Sequence, residues 1–368
     1  MDKFKQILKK ECVCVIAIVL AIITSFFSVP KIEYIDFKVL ILLFNLMIIV
    51  ECFKDLKALD SIATRFLDKC RTSRKVTICL VLISFVSSMF ITNDVALITF
   101  VPLTIVIGKK AKINVMKVVI YQTLAANLGS SLTPMGNPQN LYLYSKYNLS
   151  IGEFLSITCI LFILSIIFIL ALILKDKNKS LDFKLSEIKI KSKGYSLFFV
   201  VVFVLVVLSV IGAIDYRISF VITLISVFLY NKKMFFKVDY FLLLTFIGFY
   251  IFIGNISSLE VVSNFMKDIL STDTSTYVLG IVTSQVISNV PAAILLSSFT
   301  DSFKELILAV NIGGMGTIIA SMASLISFKL YVKEYQGETK QYFKVFTVYN
   351  LIGLVLFSII QVLLNYKQ

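Results

Sequence analysis

The chain has 368 residues, 58% hydrophobic and 16% charged, with 32 Phe and neither Trp nor His. That balance points to a polytopic helical membrane protein, and the lack of His excludes a histidine zinc site or a Ser/His triad. The formal charge of +14 could suit nucleic acid, but the Lys and Arg residues sit between apolar stretches, where they set topology; the partner is the lipid bilayer.

In chain order, Lys3, Lys5, Lys9 and Lys10 precede Cys12 to Val29, an apolar stretch without a small-residue cleavage site that reads as a retained outward crossing. Pro30 to Asp36 turns outside and Phe37 to Phe53 returns. Leu56, Leu59, Ile62, Ala63, Phe66 and Leu67 recur at helical spacing among basic residues, which predicts a cytoplasmic amphipathic helix within 54–75.

Val76 to Gly108 is apolar yet holds Thr92, Asn93 and Asp94 at its middle, and it exceeds the roughly 20 residues of one crossing. Arg74 and Lys75 before it, and Lys109, Lys110 and Lys112 after it, ask for the same side. Length and charge together predict a re-entrant hairpin (76–108) whose two half-helices meet at the polar tip; one long tilted helix with a polar kink is the alternative. Irregular backbone at that depth is tolerated only inside protein or beside water, so the tip is a candidate site. Asn114 to about Ser145 crosses outward as a broken helix. Pro134 and Pro138 remove donors there, Gly129 and Gly136 loosen the backbone, and Thr133, Asn137, Gln139 and Asn140 are left to rebuild bonds or bind a solute. Phe154 to Leu174 comes back in.

Lys175 to Lys193 is a Lys-rich cytoplasmic linker, and Tyr195 to Ile214 crosses outward as a connecting helix, so the second half starts from the opposite side. Ile218 to Tyr230 enters, Asn231 to Lys237 is cytoplasmic, Asp239 to Asn255 leaves, and Ser257 to Ser275 is an external amphipathic segment. A second hairpin (276–300) opens outward. Glu305 to about Leu330 crosses inward, interrupted by Gly313, Gly314 and Gly316, with a merely kinked packing helix as the alternative. Val332 to Lys344 is cytoplasmic and Val345 to Asn365 ends outside.

The halves share a pattern. Ser88, Thr92 and Asn93 recur as Ser284, Ser288 and Asn289, and Asn127-Leu128-Gly129 recurs as Asn311-Ile312-Gly313. Paired interrupted segments at matching places are the sequence mark of a transporter binding site; chance likeness between Ser-rich apolar helices is the competing explanation. The expected fold is all-α with two inverted-topology repeats, 1–174 and 215–368, joined by 175–214, giving nine crossings plus two hairpins. Of the 36 Lys and Arg, 29 then fall at the cytoplasmic side. The expected location is the cell membrane, N-terminus inside and C-terminus outside.

Helix amino ends suit anions and carbonyls at carboxyl ends suit sodium, and the hydroxyls of Ser88, Thr92, Ser284 and Ser288 with Asn93 and Asn289 add neutral oxygens. Asp94 has no Lys, Arg or His in either hairpin to neutralise it, so it is expected to bind sodium or carry the coupling proton; a capping carboxylate is the alternative.

The tip Thr92-Asn93-Asp94 with Val95-Ala96-Leu97, the run Asn127 to Asn140, and Ser288-Asn289-Val290-Pro291-Ala292 resemble the ion transporter superfamily of divalent anion/sodium symporters, citrate carriers and arsenite efflux pumps. The resemblance implies one sodium site at Ser88, Thr92, Asn93 and Gly129 and another at Ser284, Ser288, Asn289 and Gly313. It also implies a substrate pocket lined by Asn137, Pro138, Ser321 and Met322 with Thr133 and the two tip asparagines, and a homodimer as relatives commonly form. The chain departs from the symporter tips at Asp94, Val290 and Met322, and its Asn-Asp tip looks more like the arsenite pumps.

The function expected is a secondary active transporter, not an enzyme, that moves a small anion such as citrate with sodium or protons and needs no other cofactor. An arsenite or oxyanion efflux permease or a sodium/proton antiporter of the same fold is the alternative, and a channel the third reading. An intramembrane hydrolase would need a second buried acid beside Asp94.

Overall fold

Helix starts follow the chain's Asp, Asn, Ser and Thr residues. The computed structural model describes residues 11–111, 113–181 and 188–365; the N-terminal Lys cluster, Lys112, Lys184 and Lys367 lie outside them. Asp36 accepts from the Val39 amide at the head of α2 (Phe37–Asp55), which follows α1 (Cys12–Ser25). Thr72 caps α4 (Ser73–Ile91), Asn114 caps α6 (Val115–Gly129), and Ser150 with Glu153 forms a capping box on α8 (Ile151–Leu174). Each such bond satisfies a donor that a helix start leaves open. Between them lie α3 (Ala58–Leu67), α5 (Asn93–Ala111) and α7 (Pro138–Lys146). The second half contains α9 (Lys193–Val210), α10 (Tyr216–Asn231), α11 (Tyr240–Ser257), α12 (Glu260–Ile269), α13 (Asp273–Ile287), α14 (Asn289–Leu296), α15 (Phe303–Ile312), α16 (Met322–Glu334) and α17 (Thr339–Asn365). Among the described residues there is no strand, only an isolated bridge between Thr72 and Ser180.

The protein is an all-helical, multi-pass membrane protein. Six stretches among the described residues are long and apolar enough to cross a bilayer: Ser73–Ile91, Ile151–Leu174, Lys193–Val210, Tyr216–Lys237, Tyr240–Ser257 and Gln336–Leu364. This differs from the nine crossings expected, for physical reasons. The first helix has only 14 residues, α2 carries Lys38, Glu51, Lys54 and Asp55, and both interrupted crossings fall into short pieces. Conversely, α4 is 19 residues long, about 28 Å, so by length alone it could span.

Boundaries shift as well. The amphipathic helix expected over 54–75 covers only Ala58–Leu67, because Lys57 takes a left-handed φ of 57° that separates it from α2. The paired helices of the first break run 73–91 and 93–111, beyond 76–108, since Arg74, Lys75, Lys109 and Lys110 stay helical, Arg74 donating to the Leu174 and Asp176 carbonyls and Lys109 pairing with Glu334. The segment after Ile312 does unwind, in place of a kink: 313–321 holds only the short turn Ile318–Ala320.

Contacts sort the connections into two ends. At one, Asp55 accepts from Tyr230 (2.9 Å), Lys237 (3.2 Å) and Lys191 (3.3 Å), Lys191 N donates to Leu56 O, Leu181 N to Arg71 O, and Lys109 pairs with Glu334 at 2.7 Å. At the other, Ser28 meets Ser258 (2.8 Å), Ser145 donates to Asp36 (3.4 Å), and Tyr147 donates to Thr300 O (2.9 Å). The helices α4 and α5 pack on each other, and Val76 and Ile107, near their far ends, share one apolar cluster with Ala63 and Leu67 of α3. The far ends of α13 and α14 are likewise together at the opposite end, where the Thr276 and Thr300 hydroxyls lie 3.1 Å apart.

At the centre, α6 is buried around its circumference from Val115 to Gly129 except at Lys117, and α15 is buried from Leu306 to Ile312. A helix buried on all sides belongs to the core of the bundle. Outer helices leave large apolar side chains exposed, among them Val204 on α9, Val221 and Ile225 on α10, and Val355 and Ile359 on α17, as a lipid-facing surface requires. Close packing of α1 on α11 relies on small residues: a Cβ on Gly248 would lie 2.9 Å from the Ala17 carbonyl carbon.

Candidate functional site

Two single-residue junctions define the site. Thr92 alone separates α4 from α5, at φ 68° and ψ 152°, and Ser288 alone separates α13 from α14, at φ 77° and ψ 154°. This backbone region is nearly exclusive to Gly, and holding another residue there costs of order 1–3 kcal/mol. An asparagine opens the next helix in both cases. Asn93 Oδ1 accepts from the Asp94 amide at 2.9 Å, and its Nδ2 donates to Asn127 Oδ1 at 3.0 Å. Ser288 Oγ donates to Ala320 O at 3.3 Å, and Asn289 Nδ2 lies 3.0 Å from where a Cβ on Gly314 would stand.

Each junction faces an unwound stretch. In the first half Pro134 and Pro138 hold 130–137 in two short turns, and in the second 313–321 contains one turn; Asn137 (φ −143°) and Ser321 (φ −140°) are both extended and lead into the next helix. Glycine permits the close approach. A Cβ on Gly129 would sit 2.3 Å from Phe85 O and 2.8 Å from Ser88 Oγ, and one on Gly313 would sit 2.9 Å from Ser284 Oγ. Both glycines have right-handed helical angles, so space rather than φ demands them.

The hydrogen bonds around the two breaks come in matched pairs. Asn127 Nδ2 donates to Ser324 Oγ (3.1 Å), and Asn311 Nδ2 to Asn140 Oδ1 (2.7 Å). Ser321 Oγ donates to Asn127 Oδ1 (2.9 Å), and Asn137 Nδ2 to Asn311 Oδ1 (3.4 Å). Thr133 Oγ1 donates to Met89 O, and Thr317 Oγ1 to Gln285 O (3.2 Å). In every pair donor and acceptor hold the same places relative to the Asn-hydrophobe-Gly motif or the Ser-x-x-x-Ser/Thr-Asn tip of each half.

The structure therefore brings Ser88 to Gly129, Ser284 to Gly313, and Asn93 through Asn127 to Ser321. Pro138 and Met322 start α7 and α16 next to the extended residues. The Thr133 hydroxyl is committed to the Met89 carbonyl. Asp94, half-buried in the first turn of α5, joins the group through its backbone amide. Asn137 Oδ1 and Gln139 Nε2 are buried without a hydrogen-bond partner among the described residues, which marks them as groups open to a solute or water. Among the described residues no three His, Cys, Asp or Glu side chains converge, so a cation here would rest on hydroxyl, amide and carbonyl oxygens.

Asn127, Asn311, Asn140 and Gln285 form the wiring; of these only Asn140 stands among the candidates read from sequence, as a residue left to rebuild bonds or bind a solute. Gln285 Nε2 donates to Gly313 O (2.7 Å) and Met315 O (3.0 Å), while its Oε1 accepts from the Thr317 amide (2.9 Å). The recurring Asn-hydrophobe-Gly was the signal for the first two. Gln285 gave none, because Met89 takes its place in the first half.

A multi-pass helical protein with paired polar breaks at its core has the build of a membrane permease, and its relatives are of that class. Residues 4–304 match the citrate transporter family, and the chain belongs to it. It is 35% identical over 318 residues to the uncharacterized transporter MJ0456 of Methanocaldococcus jannaschii, covering 86% of this chain and 87% of that one. It is 28% identical over 305 residues to the inner membrane protein YbiR of Escherichia coli, 80% of each. A shorter match, 26% over 132 residues, joins it to the putative transporter arsB of Dictyostelium discoideum, 36% of this chain and 23% of that one.

Proposed function

We propose that the protein is a secondary active transporter for a small anion, with a di- or tricarboxylate such as citrate as first candidate, driven by sodium or protons through alternating access. The observation behind this reading is the pair of strained junctions, Thr92-Asn93 and Ser288-Asn289, each bonded to an unwound helix, with the serine one turn before it, Ser88 or Ser284, packed on a glycine of that helix. On this reading α4–α5 and α13–α14 are re-entrant hairpins of two inverted repeats. Their far ends are held at opposite ends of the molecule, and the end with the basic loops is cytoplasmic. Sodium would rest against Ser88, Thr92, Asn93 and Gly129, and against Ser284, Ser288, Asn289 and Gly313. The amides that open α5 and α14 would face the anion, with Asn137 and Ser321 beside it.

Asp94 favours a second reading, an oxyanion efflux permease or sodium/proton antiporter, since a half-buried carboxylate in an apolar helix pair, with no ion pair among the described residues, calls for a cation or a proton. Proteoliposomes separate these readings. Saturable citrate uptake under an imposed sodium or proton gradient is the expected result. Arsenite movement or sodium/proton exchange in place of citrate uptake would select the second reading, and large unsaturated currents would replace both with a channel. An Asp94→Asn variant should lose its dependence on the driving ion; retained coupling with unchanged pH and sodium dependence would remove Asp94 from the mechanism.

A further inference from the structure

At the end that gathers the basic loops, the starts of α4 and α6 and the chain after α8 enclose a cavity of about 450 Å³. Arg74, Lys117, Lys175, Lys177 and Lys179 line it, against one lining carboxylate, Asp176, which Lys117 already engages. The wall is built rather than loose. Ser73 N donates to Lys179 O (2.8 Å), Lys179 N to Ser73 Oγ (2.9 Å), and Arg74 N to Asn178 Oδ1 (3.2 Å), so the linker is pinned along the head of α4. Arg74 Nη2 is spent on the carbonyls of Leu174 and Asp176, yet its Nε is buried with no partner among the described residues. The first turn of α6, with Asn114 and Lys117, adds the positive pole of a buried helix.

Topological bias explains why cations lie on this face; it does not explain why five of them converge on one built hollow with a single, already engaged carboxylate. We propose that this cavity binds a phosphate group, borne by an anionic lipid headgroup or by a soluble phosphate ester. A tetrahedral phosphate offers three acceptor oxygens to a guanidinium and several ammonium groups together, and the volume falls within the roughly 300–1,000 Å³ of small-ligand sites. Basic pockets between membrane helices on the cytoplasmic side recognise lipid headgroups in this manner. The transported anion is a poorer occupant. Arg74 stands about 27 Å along α4 from Thr92 at 1.5 Å per residue, and Leu80, Val81, Ser84 and Gln122, each 0% exposed, fill the space between.

The test uses the full chain purified in an uncharged detergent, with thermal shift and native mass spectrometry read against sodium pyrophosphate, short-chain phosphatidylglycerol and short-chain phosphatidylcholine. The cavity variant is Lys175→Gln/Lys177→Gln/Lys179→Gln, all exposed; Lys232→Gln/Lys233→Gln/Lys340→Gln removes equal charge elsewhere on the same face. Saturable binding of pyrophosphate or phosphatidylglycerol, about tenfold weaker in the cavity variant and unchanged in the control, is expected. Phosphatidylglycerol alone would identify a lipid headgroup, and pyrophosphate alone a soluble phosphorylated compound. Equal weakening in both variants, phosphatidylcholine binding as well as phosphatidylglycerol, or no binding of either phosphate would overturn the site. The readout is binding, so failure here leaves the transport reading standing, and failure of transport leaves this site to be judged alone.

Discussion

Replacing Thr92 by Gly should stabilise the fold while impairing the site. At φ 68° and ψ 152° the Thr92 backbone occupies a region where a Cβ is penalised by about 1–3 kcal/mol. Gly removes that penalty but enlarges the unfolded ensemble, at a cost of roughly 0.5–1 kcal/mol. Gly also forfeits the Thr methyl, worth about 0.8 kcal/mol, so the net change lies between about −0.8 and 1.7 kcal/mol in favour of Thr92→Gly, with its centre on the stabilising side. Thr92→Ala keeps the Cβ, and so most of the strain, and loses a half-buried methyl worth about 0.8 kcal/mol. The melting temperature of the detergent-purified protein should therefore rank Gly above wild type and wild type above Ala. The Gly variant, its junction no longer held to one direction, should bind sodium and anion more weakly in titration calorimetry. A Gly variant that melts below the Ala variant would show that the Thr92 backbone is not strained, and the junction would lose its claim to be a pre-set site.

Gly129→Ala and Gly313→Ala should each destabilise by about 1–3 kcal/mol through overpacking, although Ala is the better helix former, because the new methyl meets Phe85 O and Ser284 Oγ respectively; thermal melts check the sign. Asn127→Leu should cost more than about 2 kcal/mol by stranding the buried donors of Asn93 and Ser321, each such group worth roughly 1–3 kcal/mol. The Asn127→Leu/Ser324→Ala double variant should fall short of the sum of the single variants in a double-mutant cycle, since one bond joins the two residues. At Asp55, burial pushes the carboxyl up, but hydrogen bonds from Tyr230, Lys237 and Lys191 outweigh it and hold the group below its ordinary value. Its contribution is thus complete above the unfolded value, near about pH 3.9, and is lost as pH falls through the lower folded value. Asp55→Asn should flatten that acid limb in a melting-temperature profile against pH.

Much of this architecture was legible because membrane helices announce themselves by length, and breaks by residue type. Thr92 and Ser288 were readable as tips since a hydroxyl followed by Asn interrupts an otherwise apolar run, and Pro134 with Pro138 fixed the first unwound stretch. The second stretch has no proline, and its unwinding depends on tertiary bonds from Gln285 that no local pattern encodes. Length alone does not decide α2, which carries charges at both ends of a buried middle, or α4, which is long enough to span although its start packs beside the end of α5. The importance of Asn127 and Asn311 was half visible: their recurrence could be seen, but that each reaches across to the other half could not.

That cross-reach bears on how two binding events could be coupled. Asn127 belongs to the first half, yet it accepts from Asn93 of the first junction and from Ser321 of the second half while donating to Ser324. Any motion that carries α16 away from α6 breaks two of these three bonds and leaves the Asn93 amide facing an unsupported acceptor. At roughly 0.5–1.5 kcal/mol per bond, the arrangement separates two states by about 1–3 kcal/mol, a five- to 150-fold change in affinity at the junction. Linkage is reciprocal, so on the proposed reading an ion that held Asn93 in place would also favour the position of Ser321. The mirror pair at Asn311, with Asn137 and Asn140, applies the same constraint from the other side. On the proposed reading these two amides would add to whatever Asp94 contributes, because Asn127 and Asn311 keep their full set of bonds only while both halves are closed on them.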